Sequence, residues 1–357
     1  MKLGARALNR ALLARQFLLE RTEKTPLEVV EHLVGMQSQV PLSPYVGLWS
    51  RVNGFQPSDL AATLENRETV RIVLMRATIH LVSARDALML RPLLKPVLDR
   101  TNFTGHNGKQ IEGIDPVELA QRGRELLEEE PRTREDLGKL LKEHWPGHQA
   151  TALAYAVQLL VPLAQIPPRG VWGLAPGRGA HATLNTWLGA ESLPEPSITE
   201  VVSRYLRAFG PASVQDAQTW SGLTRLSEVF ERLPLKRFSD ENGRTLYDHE
   251  DASRPDEDTP APPRFLPEFD NIALSHADRT RIISPGFNGS STRGSFTVDG
   301  FFAGTWKIEK KKQAATLLIK PYQRLLKRDS AEVEAEGRRL LRFAAPMAEH
   351  SAVFEQT

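Results

Sequence analysis

Helix-start signals recur along this chain in a regular order, and each group of them is followed by short strand-like segments. Thr25-Pro26-Leu27-Glu28 places a capping threonine before a proline and a glutamate, which supplies partners to the free N–H groups of a first turn. The apolar run Val29, Val30, Leu33, Val34 carries that helix to Gly35, and Pro41 and Pro44 stop it soon after, leaving polar side chains at a helix terminus. A short helix over 45–52 follows, Pro57-Ser58-Asp59-Leu60 opens another, and 70–82 is rich in β-branched residues with period-two alternation. Helices followed by a strand pair is the order of a winged helix-turn-helix.

The order recurs twice. Asp115-Pro116, Pro131-Arg132-Thr133-Arg134-Glu135 and Gly147-His148-Gln149 precede helices over about 116–129, 133–144 and 149–161, with extended sequence over 163–172. Ser197-Ile198-Thr199-Glu200 then caps a helix to Phe209, Gly210-Pro211-Ala212-Ser213 caps a second, and 224–233 forms a third before strand-like segments at 236–238 and 244–247. From about 264 to 328 the chain is strand-rich, and a helix over 331–343 closes it. The repetition is one of element order, not of sequence. It gives an α+β chain divided at 1–112, 113–195, 196–263 and 264–357, three tandem winged-helix units and a C-terminal β-rich portion carrying a hairpin.

With 357 residues, 40% of them hydrophobic, there is ample material for real cores. The absence of cysteine removes disulfides, thiolate–zinc sites, iron–sulfur clusters and thiol nucleophiles, and is compatible with a reducing cytoplasm. Residues 1–21 carry Leu8, Leu12, Leu13 and Phe17 at helical spacing, but Arg6, Arg10, Arg15 and Arg21 interrupt them. That is an amphipathic helix rather than a signal peptide. No window reaches the roughly 18 apolar residues of a membrane span. The expectation is a cytoplasmic, nucleoid-associated protein.

The net charge of +2 conceals segregation. Residues 271–328 hold eleven basic and three acidic residues, a balance of +8, and 240–258 balances at −6. Residues 1–105 carry fourteen basic against nine acidic residues. Two basic regions beside an acidic loop suit a phosphate-binding face.

Four segments in order along the chain, Met36-Gln37-Ser38-Gln39, Met75-Arg76-Ala77-Thr78-Ile79-His80-Leu81-Val82, Phe265-Leu266-Pro267-Glu268-Phe269-Asp270-Asn271-Ile272 and Val298-Asp299-Gly300-Phe301-Phe302-Ala303-Gly304-Thr305-Trp306, resemble the bacterial winged-helix DNA glycosylases of the AlkZ and YcaQ type. The resemblance implies three winged helices around a DNA channel. It also implies a monofunctional glycosylase that excises N7-alkylated purines, including those in interstrand crosslinks made by azinomycin-type or nitrogen-mustard agents. The family's catalytic Gln-x-Gln falls on Gln37 and Gln39. Its usually apolar middle residue is here Ser38, and YcaQ-type relatives carry Asp where this chain keeps Gln39.

The chemistry is consistent with two amides. An N7-alkylated purine already carries positive charge and leaves as a neutral base without a general acid. Each glutamine offers one acceptor and two N–H donors, enough to hold a water at the sugar. In extended backbone i and i+2 point the same way, whereas on an α-helix they diverge by about 200°. Apart from the resemblance, Gln37 and Gln39 read as a surface helix cap.

Arg76 and His80 alternate on one face of the strand expected over 70–82, with Thr78 and Val82. They lie along the DNA channel, Arg76 on a phosphate and His80 as a hydrogen-bonding group, or they form structural polar pairs. Strands over 282–284 and 295–298 flank the Gly/Ser/Asn-rich loop 285–294, and Asp299-Gly300 is a tight hairpin signal leading into 301–308. By resemblance this hairpin reaches the DNA groove, with Arg293 at a flexible tip. Lys307, Lys310 and Lys311 are further DNA-contact candidates, although Lys310-Lys311-Lys312 also reads as a solvated turn. His144 and His148 read as exposed turn residues rather than metal ligands.

No cofactor is implied: Gly177-Arg178-Gly179 lacks the strand, spacing and lysine of a P-loop, and no Gly-x-Gly-x-x-Gly occurs. Nor is an aromatic base-flipping pocket evident in a chain with 7% aromatic residues. The partner expected is double-stranded DNA containing alkylated purines, with a monomer as the simpler state. The alternatives are a winged-helix transcriptional regulator and a non-catalytic DNA-binding protein.

Overall fold

Local capping chemistry sets most of the helices. In the computed structural model, which describes residues 1–175, 177–191, 196–284, 286–287 and 292–356, Thr25 accepts from the Glu28 N–H while Glu28 reaches back to Thr25, opening Pro26–His32. Asp115, Thr133 and Ser197 accept from first-turn N–H groups to cap Pro116–Glu129, Arg134–His144 and Ile198–Phe209, and Ser213 caps Val214–Ser221 with a reciprocal contact from Asp216. The further helices Ser43–Trp49, Pro57–Glu65, Ala150–Leu160 and Ser227–Arg232 follow the expected order. Three helices between 84 and 110, Ala84–Leu93, Lys95–Phe103 and Gly105–Gln110, were not anticipated. Among the described residues no helix is long and apolar enough to cross a membrane.

The strands complete a mixed α+β fold, with three sheets among the described residues. The largest runs Met36–Gln37, Ile79–Ser83, Thr69–Val73, Leu163–Gln165, Ala180–Thr183, Arg132–Thr133, every pair antiparallel. Strands from the first and second rounds of the element order thus join in one sheet, through Arg71 opposite Gln165 and Ile72 opposite Ala164. The third round has its own hairpin, Lys236–Ser239 with Thr245–Asp248. The C-terminal sheet runs Glu349–Phe354, Ala314–Pro321, Phe301–Lys311, Gly294–Val298, Arg264–Leu266. Its first pair is parallel, and Glu349–Phe354, which follows the closing helix, was not anticipated.

Several local expectations are corrected. The extended reading over 163–172 shrinks to Leu163–Gln165, and its partner Ala180–Thr183 lies beyond a loop. Over 282–284 there is a single bridge from Ile283 to Phe302 rather than a strand. Lys310 and Lys311 end the strand Phe301–Lys311, and only Lys312, at φ 50, occupies the turn. The hairpin signal is realised: Val298 pairs with Phe301 across Asp299 and Gly300, at φ 48 and 82, as a tight turn with both residues left-handed requires. Pro285 and the centre of the loop before this hairpin, Asn288 to Ser291, lie outside the described residues.

Buried ion pairs fasten these layers. The N-terminal arginines meet carboxylates from the far end of the chain: Arg15 with Asp248 and Arg21 with Glu336 inside, and Arg10, itself buried, together with Arg6 on the exposed Asp299. The acidic segment therefore supplies internal partners, since Asp248 is buried between Arg15 and Arg254. The most enclosed pair is Arg51 with Asp270, bidentate at 2.9 and 2.8 Å. Removing one member of such a pair leaves a buried charge uncompensated, typically at about 3–5 kcal/mol. Asp270→Ala should lower stability by about that amount in urea unfolding, and Arg51→Met combined with Asp270→Leu should recover part of the loss.

Candidate active site

A bend and a short edge strand place the Gln-x-Gln segment. The helix Pro26–His32 ends earlier than expected, and Gly35 turns the chain at φ +95, where a Cβ would lie 2.5 Å from Val82 Cγ1. The chain leaves this bend as extended backbone rather than a helix terminus. Met36 pairs with Leu81 and Gln37 with His80, and the Ser38 N–H donates to the Ile79 carbonyl at 2.8 Å. Met36 is buried in the core cluster that also holds Leu48, Leu81 and Phe265, so the alternation turns Gln37 to the opposite face.

Two contacts from the C-terminal third bracket the segment. Asn271 Nδ2 donates to the Gly35 carbonyl at 2.8 Å, and Ser43 Oγ donates to Glu268 at 3.1 Å. Both partners belong to the segment 265–272, which is why that motif accompanies a Gln-x-Gln lying more than 200 positions away.

Arg76 is not on a strand. The strand expected over 70–82 breaks at the turn Met75–Ala77, where Arg76 and Ala77 have φ of 55 and 57. This corrects the shared strand face of Arg76, Thr78, His80 and Val82. The turn instead folds the Arg76 guanidinium back over the edge strand, where Nη2 donates to Gln37 Oε1 at 2.8 Å and Nη1 to the Trp220 carbonyl. Trp220 lies in the last turn of Val214–Ser221, a helix end that favours a cation. Burial lowers the Arg76 pKa to about 10, and its partners among the described residues are all uncharged.

His80 is held neutral. Its Nδ1 lies 2.9 Å from the Thr78 carbonyl and so carries the proton, leaving Nε2, 3.5 Å from Arg76 Nη2, as the acceptor. Burial first, and the Arg76 charge second, push its pKa down to about 3. Gln37 is buried and Gln39 exposed. Gln39 Oε1 accepts from the Ile79 N–H at 3.3 Å. A guanidinium and a backbone N–H can only donate, so both amides have a fixed orientation. Each turns a carbonyl oxygen inward, with one lone pair still available. Neither Nε2 has a protein partner among the described residues.

Beside Gln39 opens a polar cavity of about 340 Å³, lined by Ile79, Arg71, Arg134, Arg169, Arg178 and His181 among others. Its single carboxylate among the described lining residues, Glu135, is bound to Lys139 at 2.7 Å and Arg178 at 3.1 Å. No free carboxylate is thus positioned on this wall as a general base. Sequence reading missed Arg71, Arg169 and His181. The Gly177-Arg178-Gly179 segment, set aside as a P-loop, supplies Arg178 to the wall. The period-two pattern around Arg71 was the one usable signal, and it did not reveal which face is wet.

The other candidates lie elsewhere. Arg293, expected at a flexible tip, pairs with Glu355 at 2.6 Å and lines a separate cavity of about 290 Å³ with Glu268, Arg279 and Phe287. Lys307 pairs with Glu309 at 2.6 Å, and Lys310 donates to the Ala344 carbonyl at the end of the helix Lys327–Ala344. Lys311 is exposed at the strand end. None of these four makes a hydrogen bond or ion pair with Gln37 or Gln39 among the described residues. His144 is exposed and His148 half-buried, and they meet Glu118 and the Glu112 carbonyl.

Comparison with known proteins adds to this geometry. The family model "DNA glycosylase AlkZ-like" matches residues 30–343. A curated relative, the "Interstrand DNA cross-link repair glycosylase" of Streptomyces sahachiroi, is 25% identical over 226 residues, which cover 60% of this chain and 59% of that protein. The match therefore spans less than two thirds of the relative's length. The solved structure of "Streptomyces sahachiroi DNA glycosylase AlkZ" matches with a TM-score of 0.76 at 19% identity, covering 99% of this chain and 100% of that one. At that identity the likeness is one of fold.

The buried histidines set an acid limit. Burial pushes His181 down to about 4 as well as His80 to about 3, from the usual 6.5. Below pH 6.5 the unfolded chain takes up protons that the folded rings refuse, so their contribution is fully present above pH 6.5 and is lost toward the folded values. Stability measured by urea unfolding should fall between pH 6.5 and 5, by up to about 1.4 kcal/mol per pH unit per ring. His80→Gln should flatten that slope.

Proposed function

The chain belongs to the AlkZ-like DNA glycosylases, and from that premise we propose that it hydrolyses the N-glycosidic bond of N7-alkylated purines in double-stranded DNA, with Gln37 and Gln39 holding the water. The observation that carries this reading is the pair of amides whose orientations are fixed by Arg76 and Ile79, beside a cavity whose one carboxylate among the described residues, Glu135, is already paired. A base that leaves neutral needs no protonation. What remains is to present a water to C1′ and to keep the sugar in line.

In this reading a water donates to the second lone pair of a glutamine Oε1 and aims its own lone pair at C1′. The C1′–N9 bond breaks with its electron pair going to the base, a C1′–O bond forms, and the proton passes to solvent. No covalent intermediate forms and the strand is left intact. The Nε2 groups are free to hold sugar or phosphate oxygens. Arg76 is a positioning residue that keeps Gln37 from rotating, and neutral His80 supports it without adding charge. The site is shallow at Gln39, which is exposed. That suits a bulky adduct, and because the curated relative is named for cross-link repair the proposal extends to interstrand crosslinks.

The assignment also includes three winged-helix units over 1–112, 113–195 and 196–263, with 264–357 completing the DNA channel, acting as a monomer. Arg293, Lys307, Lys310 and Lys311 are then outer contacts to the duplex, beyond the ion pairs they make within the chain. Competing readings as a regulator or non-catalytic binder are separated by one measurement. A duplex carrying a single N7-methylguanine, incubated with the protein and then treated with alkali, should break at the lesion. Gln37→Ala and Gln39→Ala should each slow base release by about 10²–10³-fold, as loss of one positioned amide does in other sites, with folding and DNA affinity kept. Undiminished release in both variants would reject the assignment, and a mobility shift without any release would favour a binder.

A further inference from the structure

The cavity beside Gln39 holds more positive charge than its surroundings neutralise. Four arginines and one glutamate line it, a balance of +3. Arg178 is satisfied by Glu135, but Arg134 reaches only Gln158 Oε1 at 3.4 Å. Arg169 has no hydrogen bond or ion pair among the described residues. His181, 3% exposed on the same wall, makes no ring hydrogen bond of good geometry, and only the Arg132 backbone, its strand neighbour, lies close enough to oppose slightly the effect of burial. An unmet buried polar group costs about 1–3 kcal/mol, which applies to His181; Arg169 is half-buried and Arg134 exposed, so their guanidinium donors face the solvent of the cavity, and together the three have the composition of a site for an acceptor.

The wall is also wired to the glutamines. Arg71, buried between the cavity and the edge strand, donates from Nε to Ser38 Oγ at 2.9 Å and from Nη2 to the Ser38 carbonyl at 2.8 Å, while Nη1 meets Gln165. Ser38 is the residue between Gln37 and Gln39. A side chain without a hydroxyl at this position would forgo the Nε contact.

We propose that this cavity is the subsite for one phosphodiester of the lesion-bearing strand, held by Arg169, Arg134 and His181, and that Ser38 is a positioning residue linking its occupancy to the glutamine pair through Arg71. The inference rests on the glycosylase reading for the identity of the strand, and on the cavity alone for the anion. Each strand of a duplex carries a phosphate about every 3.4 Å along the axis, so a nucleotide at the glutamines brings its neighbours' phosphates to the adjoining wall. Guanidinium groups recognise phosphate oxygens through paired N–H donors.

The test uses the full-length protein and duplexes with one N7-methylguanine, in which each flanking phosphate is replaced in turn by an uncharged methylphosphonate. In the wild type one position should raise Kd about tenfold. Arg169→Gln, a half-buried residue whose replacement is checked by circular dichroism, should lose that sensitivity and reduce the slope of log Kd against log salt by about one. Ser38→Ala should keep the binding response, while its base-release rate no longer depends on that phosphate. A retained wild-type methylphosphonate profile in Arg169→Gln, or no sensitive position at all, overturns the subsite. Ser38→Ala with an unaltered rate response overturns the link. If inorganic phosphate raises the melting temperature of the wild type but not of Arg169→Gln while no methylphosphonate matters, the cavity is a small-anion site and the strand assignment falls. Absence of base release by the wild type with the phosphate pattern intact would defeat the glycosylase reading and leave the subsite standing.

Discussion

The Arg51–Asp270 pair is the joint on which the working face depends. Two fully desolvated charges are costly, and here the cost is offset by a bidentate geometry and by further bonds at each end. Arg51 also donates to the Gly47 carbonyl and to Gln16, and Asp270 accepts from the Ile272 N–H that opens a short helix. The next residue, Asn271, holds the Gly35 carbonyl. One buried pair thus locks the end of Ser43–Trp49 to the segment that fixes the bend before Gln37. Rotating that joint would move the edge strand relative to the turn that carries Arg76.

The arginines fall into groups with different electrostatic roles. Arg10, Arg15, Arg21 and Arg51 are neutralised by carboxylates and act as internal fasteners, with Arg6 joining Arg10 on Asp299 at the surface. Arg71 and Arg76 bind only uncharged partners and stay cationic next to the glutamines, although burial lowers both to about 10. A polyanion is drawn by the second kind. Net charge of +2 hides this because it counts both kinds alike, and so does a regional tally, which credited residues 1–105 with a basic excess that is largely turned inward.

What was legible in the sequence is what local chemistry decides. The capping residues Thr25, Ser197 and Ser213 act on N–H groups two or three positions away, and Asp299-Gly300 satisfies the dihedral demands of its own turn, so each could be read in place. The union of the first two rounds in one sheet could not, because Arg71 and Gln165 are 94 positions apart and their pairing depends on a register nothing nearby specifies. The turn at Arg76 was hidden for a related reason: β-branched residues on both sides imitate one continuous strand. At the site, the glutamines and Arg76 were visible through family resemblance, whereas Arg71, Arg169 and His181 are scattered residues that only folding brings together.

The brackets on the Gln-x-Gln segment have a consequence for how the chain comes into being. Gly35 and Ser43 wait for partners 236 and 225 positions downstream. On a ribosome that emits the N-terminal region first, the helices up to about residue 110 and the pairing of Gln37 with His80 can form as they emerge, but the outer side of the bend lacks its Asn271 and Glu268 contacts until roughly three quarters of the chain has been made. Long-range closure of this kind is slow. The nascent protein is therefore unfinished at the Gln-x-Gln segment, and a truncated translation product would carry the glutamines without the two contacts that bracket them.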